Sequence, residues 1–238
     1  MVWSCLVSIL PGMAQTEKLT DYVNPFVGTD GYGNVYPGAQ IPFGGIQISP
    51  DTDSRFYDAA SGYKYNHLTL MGFSLTHLSG TGIPDLGDFL FIPGTGEMKL
   101  EPGTHEDPDQ GYRSRYSHDK EWASPNYYAV ELADYGVKAE MTSGVRSGMF
   151  RFTYPESDNA FIMIDMNHTL WQSCEWSNLR MINDSTITGY KLVKGWGPER
   201  HVYFTATFSK KLTGLRFVQD KKPVIYNTSR LCSSYEAR

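Results

Sequence analysis

His77, Ser79, Thr81, Asp85 and Asp88 crowd into residues 72–88, GFSLTHLSGTGIPDLGD, among glycines at 72, 80, 82 and 87. Small residues around polar ones let a ligand approach backbone N–H groups closely. Hydroxyls, an imidazole and carboxylates are the groups that bind hydroxyl-rich ligands such as sugars. The same composition also serves ordinary turns, and His77 fits equally well as a hydrogen-bonded structural histidine. Asp85 and Asp88 could converge for acid and base work on a glycosidic bond, which needs two carboxylates at a defined separation. Against this, loop aspartates commonly cap backbone N–H groups, and Asp88 leads straight into the apolar run 89–92.

Other candidates carry less. Asp51-Thr52-Asp53 opens like a calcium loop, but Phe56 stands where that loop needs glycine and no glutamate closes it. Aspartates beside proline there read as turn formers, and no residue is assigned to a metal. Residues 118–122, HDKEW, read as a solvated turn before Pro125. Trp171, Trp176 and Trp196 lie in loop-like segments. Indoles can stack on sugar faces, though core or interface packing is their commoner use. A phosphate-cradling G-x-x-x-x-G-K motif, an H-E-x-x-H zinc motif and a G-x-S-x-G nucleophile elbow are all missing from the sequence. No Cys-His-Asp pattern suggests an amidase.

The elements that must position these residues read as strands. Residues 24–50 are dense in glycine and proline, which forces turns and excludes a long helix. Residues 46–48 alternate like a short strand, and 89–92 read as a buried one. After residue 111 the pattern is regular: strands are expected over 127–132, 137–142, 149–154, 161–166, 185–193, 201–208, 215–218 and 222–227. No segment carries a sustained 3.6-residue period, so βαβ folds are disfavoured. The expectation is one all-β domain, a large antiparallel β-sandwich or barrel, over residues 20–225.

Composition supports a packed chain. The 238 residues include 12 Phe, 5 Trp and 16 Tyr, too many aromatics for disorder. With 21 basic against 26 acidic residues the net charge is −5, and basic residues never run beyond pairs. A nucleic-acid surface is therefore not expected. Mean hydropathy is −0.39 and no apolar run reaches membrane length, so no helical membrane span is expected.

Residues 1–14 read as the end of a secretory signal peptide: residues 2–10 are apolar, and Gly12-Met13-Ala14 forms a small-x-small site before Gln15. Export follows, to the periplasm, cell surface or medium. Cys5 would leave with that segment. Cys174 and Cys232 would remain, either paired or as two buried thiols. Residues 226–238 read as an irregular tail that stops rather than finishes.

One resemblance spans most of the chain. It starts at Asp21-Tyr22-Val23-Asn24-Pro25-Phe26-Val27-Gly28-Thr29 and continues through Tyr36-Pro37-Gly38-Ala39, Pro42-Phe43-Gly44 and Ser49-Pro50-Asp51. It includes Gly72-Phe73-Ser74, His77-Leu78-Ser79-Gly80-Thr81-Gly82 and Asp85-Leu86-Gly87-Asp88. Later blocks are Pro125-Asn126-Tyr127-Tyr128, Val145-Arg146-Ser147-Gly148, Ile187-Thr188-Gly189-Tyr190 and Val202-Tyr203-Phe204. In these blocks the chain resembles glycoside hydrolase family 92, the calcium-dependent exo-α-mannosidases prominent in gut Bacteroidetes. The resemblance implies the family's N-terminal β-sandwich without its C-terminal (α/α)6 barrel. It implies an inverting reaction on mannose-rich N-glycans, of α-1,2 type, in which acid, base and calcium ligands lie mainly in the barrel. No catalytic or metal-binding residue is then expected in this chain, which alone should be inactive. Pocket-wall and substrate-orienting roles carry over to Phe26, Gly28, His77, Ser79, Gly80, Thr81, Gly82, Ile83, Asp85 and Asp88. Leu75 departs from the family, which often has His there, and Ile83-Pro84 fall where members vary; both leave the linkage open. The implied partners are a mannose-containing glycan and the barrel. A free-standing carbohydrate-binding sandwich, or one that recruits a separate barrel through an exposed apolar face, are the alternatives.

Overall fold

The structure, a computed structural model, describes residues 17–54, 59–219, 222–224 and 229–232. The expected signal segment, residues 1–14, lies outside the described residues. Among the described residues, three four-stranded antiparallel sheets form the body of the fold. The central sheet runs β1 (Ser49–Asp51), β3 (Gly72–Ser74), β4 (Leu90–Thr95), β10 (Ala160–Asp165). A second is the meander β6 (Glu121–Ser124), β7 (Tyr127–Leu132), β8 (Val137–Ser143), β9 (Gly148–Thr153). The third orders β13 (Arg200–Thr207), β12 (Thr186–Lys194), β11 (Ser173–Asn183), β16 (Ser229–Cys232). Two small ladders join β2 (Thr69–Leu70) to β5 (Ser114–Arg115), and β14 (Phe217–Gln219) to β15 (Lys222–Val224). The fold is the all-β antiparallel sandwich expected.

Side-chain patterns explain the layering. In β4, Leu90 and Ile92 pack with Met71 and Tyr112, while Phe91 turns the other way to meet Phe150 and Phe204. Burial on both faces is why 89–92 is a continuous apolar run rather than an alternating one. Tyr128, Val130 and Leu132 of β7 and Val137, Ala139 and Met141 of β8 pack with Phe73 and Ile48 in the largest core cluster. By contrast β13 alternates, with Val202, Phe204 and Ala206 inward and His201, Tyr203 and Thr205 outward. A groove of about 2490 Å3 opens between β9, β10 and β13, lined by Phe150, Phe152, Met163 and Phe204 among others.

Some elements differ from the sequence reading. Residues 46–48 form only a bridge, Ala39 with Ile48, and the strand begins at Ser49. Strand β11 was not expected. Register shifts between Cys174 and Trp176 and between Met181 and Asn183 break the period that would have announced it. The tail is not wholly irregular: Ser229–Cys232 pairs with β11, Cys232 opposite Ser177. Backbone hydrogen bonds along an open edge, not side-chain periodicity, make that strand. Cys174 is buried, its Sγ 3.9 Å from Met166 O and 3.7 Å from Trp176 O.

Candidate functional site

The glycine-rich loop grows from the end of β3. Its base is closed by Leu75 N donating to Asp88 O (3.0 Å), Gly87 N to Thr76 O (2.8 Å) and a bridge between His77 and Leu86. Past Leu86 the backbone turns through positive φ at Leu86 (75°), Gly87 (74°) and Phe89 (57°). Two of these are not glycine, a conformation held only where the surroundings over-determine it. A Cβ on Gly87 would lie 2.6 Å from Leu170 Cγ, so the loop base fits tightly against residues 168–172. At the tip, Ser79, Gly80, Gly82 and Ile83 are exposed, and Thr81 Oγ1 donates to Ile83 O at 3.0 Å. Gly80 N donates to Asn34 O at 2.7 Å, which joins this tip to the loop of Phe26 and Gly28. Gly28, at φ 84°, has its own close approach: a Cβ there would meet Val35 Cγ2 at 2.9 Å. Phe26 is half-buried and meets the Tyr65 ring edge-on at 5.7 Å.

Beneath the tip the polar residues are buried. His77 is 3% exposed: Nδ1 lies 2.7 Å from Gln47 O, and Nε2 lies 2.8 Å from Asp51 Oδ1. Asp51 Oδ2 faces His168 Nε2 at 2.7 Å. Burial works against the Asp51 charge, but the imidazoles of His77 and His168 outweigh it and hold the carboxyl well below the usual range. Asp88, fully buried, pairs with Lys191 (Nζ to Oδ1, 3.1 Å), itself fully buried, and with Arg200 Nη1 at Oδ2. The Lys191 contact is an ion pair without hydrogen-bond geometry; its Nζ hydrogen-bonds His168 O at 2.5 Å instead. Thr76 Oγ1 adds a hydrogen bond to Asp88 Oδ2 at 2.7 Å. Burial pushes the Asp88 carboxyl up, and the two cations bring it below the usual range. Asp85 accepts from Leu86 N (2.6 Å) and Trp196 N (3.0 Å).

The structure therefore brings the predicted residues together in two tiers. Ser79, Gly80, Thr81, Gly82, Ile83, Phe26 and Gly28 share the accessible rim. His77, Asp85 and Asp88 stand underneath as supports, their polar atoms taken by neighbours, and neither aspartate is open for proton transfer to a sugar. Asp51 is not the turn former expected but the anchor of two imidazoles. Glu121 is likewise not in a solvated turn: it is buried and accepts from Tyr63, Tyr128 and His118. The single helical turn His118–Lys120 and Trp122 on the other side of Glu121 face solvent. Among the described residues no group of three or more His, Cys, Asp or Glu is placed to hold a metal ion. The carboxylates of the site are already matched by imidazoles (Asp51), by an ammonium and a guanidinium (Asp88) or by backbone N–H groups (Asp85), so this chain's own residues do not suit calcium.

The comparisons with known proteins decide the family. The family model described as the glycosyl hydrolase family 92 N-terminal domain matches residues 22–236. The chain belongs to that family. It is 95% identical to the family GH92 alpha-mannosidase BT3965 from Bacteroides thetaiotaomicron, with a TM-score of 0.89, over 91% of this chain and 30% of that one. That mannosidase has also been solved in complex with mannoimidazole. The GH92 family glycosyl hydrolase ccman5 is 27% identical with a TM-score of 0.75, over 90% of this chain and 29% of that one. An "Uncharacterized secreted glycosidase" of Arthroderma benhamiae is 30% identical over 139 residues, 58% of this chain and 17% of that protein. The chain thus spans less than a third of the length of these relatives. No helix among the described residues is long and apolar enough to cross a membrane.

Proposed function

We propose that this chain supplies the sugar-orienting wall of an exported, calcium-dependent, inverting exo-α-mannosidase acting on mannose-rich N-glycans, of α-1,2 type. The observation that carries the reading is the uncharged, exposed rim of Ser79–Gly82, joined through Gly80 and Asn34 to the Phe26–Gly28 loop. Such a rim offers hydroxyl and backbone hydrogen-bonding groups to a neutral polyol, with an aromatic ring beside them. The supports below fix its position, which is what a substrate-orienting surface needs.

In this reading the chain binds and orients the terminal mannose, and proton transfer comes from carboxylates outside it. An inverting reaction needs one carboxylic acid to protonate the leaving oxygen and one carboxylate to activate water. Asp51, Asp85 and Asp88 are committed to buried partners and serve neither role. Calcium, when bound, would polarise and help distort the sugar; its ligands belong to a C-terminal (α/α)6 barrel that covers the rim. The relative described as secreted supports export; periplasm, cell surface and medium are the destinations this reading allows.

The test is mannose release from an α-1,2-linked mannobiose with calcium present, by this chain alone and by a version extended through the barrel of the 95% identical relative. The extended protein should turn over and this chain should not. Turnover by this chain alone would overturn the division of labour. Sugar binding by this chain tighter than about 0.1 mM, near −5.5 kcal/mol, would instead mark a self-sufficient carbohydrate-binding module.

A further inference from the structure

A second cleft lies beside the rim. It encloses about 340 Å3 and is lined by Pro84, Trp171, Gln172, Ser173, Lys194, Gly195 and Trp196. That volume sits at the small end of ligand sites and suits one or two sugar rings. Its walls come from the open end of the β11–β12 hairpin. The last ladder pair is Ser173 with Lys194. Beyond that pair the chain leaves the ladder, and Trp171 and Trp196, two residues further out on each side, both line the cleft. Both indoles are more than half exposed, 56% and 58%. Soluble proteins seldom leave two neighbouring tryptophans exposed without a use.

The backbone is arranged to present them. Trp171 adopts φ 79°, a left-handed conformation that a bulky aromatic residue rarely takes. Strain of this kind clusters at ligand sites. The cleft is also tied to the glycine-rich loop. Gln172 Nε2 donates to Pro84 O at 2.9 Å, Trp196 N to Asp85 Oδ2 at 3.0 Å, and Leu170 N to Leu86 O at 3.0 Å. A Cβ on Gly195 would come within 3.1 Å of Asp85 Oδ2, so that turn is packed against the loop as well.

We propose that Trp171 and Trp196 form a separate pyranoside subsite, which holds a ring on the leaving-group side of the glycan whose terminal mannose meets the rim. This rests on the glycosidase reading above. Indole faces stack on the apolar C–H face of a pyranose, and Ser173 and Lys194, which also bond Glu175, meet its hydroxyls. Among the described residues that line the cleft none is a carboxylate, and the role assigned to it is binding. Pro84 forms part of its wall and Ile83 part of the rim, so one oligosaccharide reaches both. Occupancy should favour oligosaccharides over single sugars.

The experiment is a titration of 15N-labelled chain with methyl α-mannoside and with linear α-mannotriose, each to about 50 mM, the range where millimolar sites saturate. The Trp171 and Trp196 indole signals are assigned by Trp171→Phe and Trp196→Phe. Mannotriose should shift both indole signals and the Ser79–Gly82 amides, and should bind at least about fivefold tighter than the monosaccharide, near 1 kcal/mol. Trp171→Ala or Trp196→Ala should abolish that preference and leave monosaccharide binding at the rim unchanged. The wild-type titration stands even if an alanine variant fails to fold. Mannotriose that shifts the rim amides but neither indole would overturn the subsite and keep the glycosidase reading. Silence of both rim and indoles would overturn the two together.

Discussion

Lys191 is the most exacting test of how the loop is held. Its ammonium is fully buried, 3.1 Å from Asp88 and 2.5 Å from His168 O, and 5.1 Å above the Phe89 ring. Lys191→Met keeps chain length and fills the same space, but strands Asp88 with one cation instead of two. Breaking a buried pair by removing one partner costs about 3–5 kcal/mol. Arg200 still pairs with Asp88 and keeps part of its charge matched. The expected loss is therefore near the lower end, about 3 kcal/mol. For a chain of this size that lowers the melting temperature by roughly 6–12 °C.

The assay is urea unfolding of wild type, Lys191→Met, Asp88→Asn and the double variant. In Asp88→Asn/Lys191→Met no unmatched carboxylate remains, so the double variant should lose at least about 1 kcal/mol less than the sum of the singles. The denaturant slope should stay constant, which shows that stability and not the extent of unfolding has changed. A loss under about 1 kcal/mol for Lys191→Met, or additive singles, would refute the view that this pair clamps the loop base.

Three further outcomes follow from the same geometry. Gly87→Ala should cost at least about 3 kcal/mol by chemical unfolding, because it adds a left-handed backbone to a clash with Leu170; Gly80→Ala, at φ 75° with open space around it, should cost about 1 kcal/mol. Asp51 carries a pH signature. Its folded carboxyl sits below the unfolded value near 3.9, so its contribution is complete above about pH 4 and is lost as pH falls from there; Asp51→Asn should flatten this acid limb in a pH series of unfolding curves. Cys174 should resist a thiol reagent until urea unfolds the chain, since burial both shields the thiol and pushes its pKa up; rapid labelling of native Cys5→Ser/Cys232→Ser protein would contradict that placement.

Strands with one wet face, or with two buried faces and clean ends, were legible in the sequence. Strands β7, β8 and β13 alternate, and β4 and β10 are short apolar runs bounded by turns. The hairpin between β7 and β8 was visible at Tyr135-Gly136, where Gly136 takes φ 63°. Strand β11 escaped because SCEWSNLRMIN mixes polar residues with register breaks, and its identity depends on β12 and β16 alongside it. A strand defined by its neighbours has little local signal to read.

The site divides the same way, and the division carries the functional argument. Most of its rim is local: glycines, a threonine and a serine within one loop announce exposed backbone and hydroxyls. Its supports are not. Asp51 and His168 stand 117 residues apart in sequence, and Asp88 and Arg200 stand 112 apart. Only the folded chain could show that the aspartates are neutralised, and that fact reverses their role. Two acidic residues beside a glycine-rich loop suggest an acid and a base. Paired with Lys191 and Arg200, or bonded to Leu86 N and Trp196 N, they make a loop that is rigid below and uncharged above. A rigid neutral wall orients a neutral sugar well and cannot move its protons, so the carboxylates of any mannosidase built on this chain must reach the rim from outside it.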